Sequence, residues 1–244
     1  MSGLPKAILF DLDETIISFG SRRLILQAVI EEFAPRFAPV TPEDAAVAME
    51  TGFRRFWSDE ARAAIWRQNL GAGRILAVEE CFSDLRDRAP GLTAEFARTF
   101  GDRFHIYREQ QAKFFPGALE TIQAFRDLGV KLALVTNGAA EPQRAKVERF
   151  NLAPLFDHVQ IEGEAGFGKP EEQAYVHAMQ VLGVKPQETW MVGDNLEWEV
   201  AAPQRLGIYA IWHDHLGEGV PAGSPIRPDW IVRSVAELNP NKQD

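Results

Sequence analysis

Cysteine is nearly absent. Cys81 is the one thiol in 244 residues, so no internal disulfide can form, which fits a reducing compartment. It lies in a helical pattern with no basic residue beside it, and reads as a small buried hydrophobe. Long apolar runs are also lacking. No stretch approaches the ~20 apolar residues that a membrane-spanning helix needs. The opening MSGLPKAILFDLDET meets acids after too short an apolar run for a secretory leader. These absences lead us to expect a soluble, cytoplasmic protein with no membrane partner. Excess positive charge is missing as well: 26 Lys and Arg stand against 35 Asp and Glu, a formal net charge of −9. Such a chain lacks the footprint of a nonspecific nucleic-acid binder, although a small anionic ligand needs only a local positive site. There is no internal repeat and no low-complexity segment.

What is present is an ordinary globular composition, 45% hydrophobic and 25% charged. Residues Lys6 to Phe10 read as a short buried strand. From about Ser21 to Gln111 the pattern is helical only. Ile25, Val29 and Phe33 recur on one helix face, Thr41-Pro42-Glu43-Asp44 has the form of a helix start, Ser58-Asp59-Glu60 looks like another, and Pro90-Gly91 separates two further helices.

After Pro116-Gly117 the rhythm alternates. Helices are expected over Ala118 to Leu128, Pro142 to Phe150, Glu171 to Leu182 and Leu196 to Leu206. Strands are expected over Val130 to Val135, His158 to Ile161, Thr189 to Val192, Ile208 to Trp212 and Trp230 to Val232. Strand and helix at this spacing imply right-handed crossovers and a doubly wound, mostly parallel α/β sheet. The expected organisation is a core from residues 1–18 and 112–244, with an all-helical insertion at 19–111. Ligands of such sheets bind outside the carboxyl ends of the strands.

Four of those ends carry polar residues: Asp11-Leu12-Asp13-Glu14-Thr15, Thr136-Asn137-Gly138, Gly168-Lys169-Pro170 after the third, and Gly193-Asp194-Asn195. In that order, FDLDET, VTNG, GKP and VGDN resemble the haloacid dehalogenase superfamily of phosphotransferases. The motifs span Asp11 to Glu199, and the helical insertion sits where one class of these enzymes places a helical cap on a Rossmann-like core.

The resemblance implies a Mg²⁺-dependent phosphatase acting on a small phosphorylated metabolite. Asp11 would be the nucleophile and form an aspartyl-phosphate. Asp13 would be the general acid and base. Thr136, Asn137 and Lys169 would bind the phosphoryl group. The Asp11 carboxylate, the Asp13 carbonyl and the Asp194 carboxylate would hold Mg²⁺, which favours oxygen ligands and keeps waters. Cations are needed because a carboxylate must approach a phosphate dianion beside another carboxylate. At ~4 Å and an effective dielectric near 20, each like-charge pair costs about 4 kcal/mol.

Many relatives carry a second acid, usually Asp, five residues beyond the GD aspartate, where this chain has Glu199. That longer carboxylate either reaches the metal-bound water or caps or salt-bridges locally, with Asn195 and Glu197 as neighbouring alternatives. A halide leaving group needs no proton, and haloacid dehalogenases generally lack an Asp at the Asp13 position, so Asp13 argues for phosphoryl chemistry. A phosphomutase of the same superfamily and a non-catalytic binding module stay open as alternatives.

Other features carry less. His213-Asp214-His215 lacks further N/S ligands nearby and is expected to be a polar loop rather than a zinc site. Gly217 to Pro228 reads as a loop, and Trp190 as core packing. In the insertion, Phe53-Arg54-Arg55-Phe56-Trp57, with Trp66 and Arg67, reads as an amphipathic helix with buried aromatics and solvated arginines. One arginine and one aromatic there would bind the non-phosphate part of an anionic metabolite. Substrate identity and oligomeric state are not encoded in any recognisable pattern.

Overall fold

The computed structural model describes residues 3–66 and 69–242. In chain order the elements begin with strands β1 (Ala7–Phe10) and β2 (Ile17–Ser18). Helices α1 (Arg22–Glu32), α2 (Ala34–Phe37), α3 (Pro42–Trp57), α4 (Glu60–Trp66), α5 (Leu70–Leu85) and α6 (Ala94–Gln111) follow. Then come β3 (Lys113–Phe114), α7 (Ala118–Asp127), β4 (Lys131–Thr136), α8 (Ala140–Arg149), β5 (His158–Ile161), α9 (Glu162–Ala165) and α10 (Glu172–Leu182). The chain ends with β6 (Thr189–Gly193), a π-helical turn (Leu196–Ala201), α11 (Ala202–Arg205), β7 (Tyr209–His213) and β8 (Trp230–Val232).

The chain divides into two compact units: residues 1–18 with 113–244, and residues 19–112. Ala112 falls to the helical unit, one residue beyond the boundary read from the sequence, because it closes α6, its N–H bonding to the Glu109 carbonyl.

The first unit is an α/β fold built on a six-stranded sheet in the order β5-β4-β1-β6-β7-β8, parallel throughout. This is the doubly wound order, in which the chain winds one way from β1 to β5 and the other way from β6 to β8. β1 therefore lies at the centre, between β4 and β6, and all four of its residues are buried. A strand buried on both faces reads as a continuous apolar run, as Ala7-Ile8-Leu9-Phe10 does. The switch point falls between β1 and β6, whose carboxyl ends lead into Asp11 and Asp194.

The elements expected after Pro116 are present, with ends displaced by no more than two residues. Gly183, at φ +67°, closes α10 in the left-handed region, as a C′ glycine does. The segment Leu196 to Leu206 is a departure. Its first six residues wind as a π-helix before α11. Pro203 has no N–H to donate back to the Glu199 carbonyl, and its ring crowds that position, so a regular α-helix cannot run through it. β2 and β3 have no counterpart in the sequence reading. They pair antiparallel, Ile17 opposite Phe114 and Ser18 opposite Lys113, and two residues are too few to show a period of two.

The helical unit has its own core. Phe37, Phe82, Phe96 and Phe100 are buried against one another, with Phe82 and Phe96 stacked at 5.5 Å between centroids. Removing one such ring costs about 3–5 kcal/mol. Helix α3 is amphipathic as expected. Thr41 caps it, Phe53 and Phe56 are buried, and Arg54 and Arg55 reach out to Glu50 and Asp84. Trp57 and Trp66 pack partly buried against the same core. Arg67 lies outside the described residues. Among the described residues no helix is long and apolar enough to cross a membrane.

Candidate active site

The chain turns tightly where β1 ends. The Leu12 carbonyl accepts from the amides of Ile16 and Ile17, and Glu14 sits at φ +58°. A non-glycine residue there costs on the order of 1–3 kcal/mol, a strain that clusters at functional sites. The turn sets two carboxylates, Asp11 and Asp13, at the carboxyl edge of the central strand.

Each carboxylate has its own cation. Lys169 donates to Asp11 Oδ1 at 2.6 Å, and Thr15 Oγ1 donates to Asp11 Oδ2 at 3.1 Å. The same Lys169 ammonium lies 2.7 Å from Glu199 Oε1. Its side chain is 0% exposed. Burial alone would lower the pKa of that ammonium, but the carboxylates of Asp11 and Glu199 outweigh it and hold it above the usual lysine range. Lys146, on α8, takes the other carboxylate. Its Nζ lies 2.7 and 2.5 Å from the two oxygens of Asp13.

Glu199 is fixed from both ends. Its second oxygen accepts from the Asn195 N–H at 2.8 Å, while Asn195 Oδ1 accepts from the amides of Glu197 and Trp198. Asn195 is thus the N-cap of the π-helical turn, and Glu197 pairs with Arg205 on the exposed side. The contacts of Glu199 are a salt bridge to Lys169 and a cap on the Asn195 amide. Burial pushes its carboxyl up to about 7, with Lys169 pulling down and Asp11 adding to the rise. Gly193 makes room for it. A Cβ there would stand 2.0 Å from Glu199 Cγ.

Thr136, at the end of β4, is buried, and its Oγ1 accepts from Gln143 Nε2 at 2.7 Å. Asn137 braces the neighbouring loop. Its side chain accepts from Lys169 N at 2.9 Å and donates to Lys169 O at 2.6 Å. The four strand ends read from the sequence therefore meet in one unit, and the structure adds Lys146 and Gln143, which sequence reasoning missed.

Asp194 follows β6, and its carbonyl accepts from the Trp212 indole at 2.7 Å. Its carboxyl is pushed well above the usual range by burial, then by the charges of Asp11, Glu199 and Glu14, against which Lys169 acts weakly. One ammonium among Asp11, Glu199 and Asp194 leaves this corner with excess negative charge, the condition under which a bound cation is favourable. Among the described residues, no three His, Cys, Asp or Glu side chains form a metal cage by themselves. Two carboxylates and a carbonyl, completed by water, is instead the donor set that suits Mg²⁺.

The His213 to His215 segment corrects its expectation. His213 is not in a polar loop. It ends β7, fully buried, with Nδ1 3.0 Å from the Glu14 carbonyl, and burial followed by His215 lowers it to about 4. Asp214 accepts from the amides of Gly217, Glu218 and Gly219 and so braces the loop that follows.

A haloacid dehalogenase-like hydrolase family model matches residues 5–207. The chain belongs to that family. It is 31% identical over 252 residues to the phosphoserine phosphatase of Thermus thermophilus, covering 96% of this chain and 97% of the relative. It is 37% identical over 248 residues to the N-acylneuraminate-9-phosphatase of Rattus norvegicus, covering 96% and 92%. These relatives are phosphatases, and the chain is a phosphatase-type hydrolase of the family. In fold it is similar to the HAD-hydrolase YfnB of Bacillus subtilis, solved bound to magnesium, at a TM-score of 0.73 and 20% identity over 97% of each chain.

Proposed function

We propose that the protein is a Mg²⁺-dependent phosphatase that hydrolyses a small phosphate monoester through an aspartyl-phosphate on Asp11. The observation that carries this reading is the pairing of two neighbouring carboxylates with two different lysines, Asp11 with Lys169 and Asp13 with Lys146. One carboxylate is thereby set up as nucleophile and the other is kept apart for proton transfer.

Asp11 attacks phosphorus with one carboxylate oxygen, and the new P–O bond forms as the bond to the ester oxygen breaks. Asp13 enters the first step protonated, gives that proton to the departing alkoxide and is left as the carboxylate that Lys146 pairs. It then takes a proton from the water that opens the aspartyl-phosphate, returning Asp11 as a carboxylate and releasing inorganic phosphate. Lys169 and the Thr136 hydroxyl hold phosphoryl oxygens. Because the Asn137 side chain is engaged with Lys169, its contribution to the phosphoryl group falls to its backbone N–H. Mg²⁺ would be held by the carboxylates of Asp11 and Asp194 and the Asp13 carbonyl, and it supplies charge neutralisation between a carboxylate and an approaching phosphate. Glu199 acts through Lys169.

Within the helical unit, Arg22, Arg74 and Arg108 line a cavity of about 160 Å³ with Phe53, Trp57 and Phe104, to which we assign recognition of an organic acid. Phosphoserine and N-acylneuraminate 9-phosphate, for which two relatives are named, both carry a carboxylate. A cytoplasmic setting accords with Cys81 being free and buried.

The test is phosphate release from a panel of phosphorylated metabolites, with Mg²⁺ and with EDTA, for the wild type and Asp11→Asn. Metal-dependent release that Asp11→Asn abolishes is expected, with acidic monoesters ranked highest. Isomerisation of a sugar monophosphate that needs a sugar bisphosphate activator, with no phosphate released, would make it a mutase. Halide release from haloacids without phosphate release would make it a dehalogenase.

A further inference from the structure

Helix α8 buries an unusual stripe. Its three buried residues, Gln143, Lys146 and Val147, stand at i, i+3 and i+4, the spacing of a face that packs inward. Aliphatic side chains are usual on such a face, but two of the three here are an amide and an ammonium. Lysine seldom buries its charge unless it is paired, and Lys146 is only 9% exposed. Nearby Arg144, by contrast, reaches out to Glu164.

Both buried polar groups converge on Asp13. Lys146 Nζ lies within 2.7 Å of both carboxylate oxygens, and Gln143 Nε2 lies 3.3 Å from Oδ2. The same Gln143 nitrogen donates to Thr136 Oγ1 at 2.7 Å and to the Asn137 carbonyl at 2.6 Å. An aspartate held at both oxygens by one buried cation has little rotational freedom left. Its cation is also distinct from Lys169, which Asp11 uses.

We propose that Lys146, seconded by Gln143, is a positioning residue that fixes the Asp13 carboxylate where it exchanges a proton with the leaving oxygen. This rests on Asp13 being the acid and base of the reading above. Lys146 acts through Asp13 and does not itself bind substrate. A displacement of about 1 Å at such a group can cost on the order of 10²-fold in rate.

The experiment measures kcat and KM for Lys146→Met, Asp13→Asn and the double variant on two esters. One is the alkyl monoester that the panel turns over fastest, whose alkoxide needs a proton. The other is p-nitrophenyl phosphate, whose leaving group needs little help. Lys146→Met should lower kcat on the alkyl ester by about 10–100-fold, a part of what acid–base catalysis supplies. It should cost less than about 3-fold on the nitrophenyl ester and leave KM nearly unchanged. In the Asp13→Asn background the same substitution should have no further effect, and Lys146→Arg should restore part of the loss.

Equal losses on the two esters, a loss confined to KM, or effects additive with Asp13→Asn would overturn the proposal. If Asp13→Asn itself shows no preference between the esters, the acid–base reading fails and takes the proposal with it. If Asp13→Asn shows the preference and Lys146→Met does not, only the proposal fails. Should Lys146→Met not fold, Lys146→Arg keeps the charge but moves it, and the same ratio between esters decides.

Discussion

Replacing Lys169 by methionine removes the charge that faces both Asp11 and Glu199 while nearly preserving side-chain volume. The ammonium is fully buried, 2.6 Å from one carboxylate and 2.7 Å from the other. Breaking a buried pair by deleting one partner costs about 3–5 kcal/mol, because the remaining charge is left uncompensated. Here the cost should depend on pH. Burial raises the Glu199 carboxyl from 4.5 to about 7. Its contribution to stability is therefore full below 4.5 and is lost as pH rises through 7. Without Lys169 the carboxyl rises further, so the loss on going to high pH is larger in the variant.

Lys169→Met should accordingly cost more at pH 8 than near pH 5, where a neutral Glu199 needs no cation and only the Asp11 carboxylate loses its partner. At about 2–4 °C per kcal/mol for a chain of this size, the melting temperature should fall by roughly 6–20 °C at pH 8. Thermal unfolding followed by circular dichroism at both pH values makes the comparison. A deficit below about 1 kcal/mol at pH 8, or one equal at the two pH values, would refute the view that Lys169 is the buried counter-charge.

Three further outcomes follow from particular contacts. Gly193→Ala places a methyl 2.0 Å from Glu199 Cγ; it should push Glu199 off Lys169, cost about 1–3 kcal/mol by overpacking, and lower kcat, as urea titration and steady-state kinetics would read. His213 is buried neutral, lowered to about 4, so its contribution is full above pH 6.5 and is lost as pH falls toward 4. At roughly 1.4 kcal/mol per pH unit that amounts to about 3 kcal/mol, and urea unfolding of His213→Phe should show a pH dependence flatter by that amount. The thiol of Cys81 is buried and pushed up to about 12 by burial; it should stay silent toward Ellman's reagent in the folded protein and react fully in urea.

The fold was largely legible because a parallel sheet buried on both faces writes each strand as a short apolar run, and polar residues after such a run mark its carboxyl end. That is how Asp11, Thr136, Lys169 and Asp194 could be gathered from positions far apart in the chain. Lys146 and Gln143 were hidden by chemistry. A helix rich in charged residues reads as a solvated face, and Lys146 differs from Arg144 or Arg149 only in pointing inward. Its signal was the i, i+3, i+4 spacing with Val147, in a helix that otherwise offers little apolar surface to bury. Glu199 was ambiguous because its reach depends on the π-helical turn, which Pro203 imposes and which periodicity does not show. The polar neighbours Asp214 and His215 make His213 look like loop, although the strand extends one residue beyond Trp212 and carries it into the interior.

Chemical trapping shows directly whether Asp11 accepts the phosphoryl group. The protein would be mixed with Mg²⁺ and the monoester it turns over fastest, quenched in acid within one turnover, digested and analysed by mass spectrometry. One phosphoryl group on Asp11 is expected, absent when Asp11→Asn is treated in the same way. A phosphoryl group on another side chain, or rapid turnover with no phosphorylated peptide and direct transfer from ester to water, would contradict it.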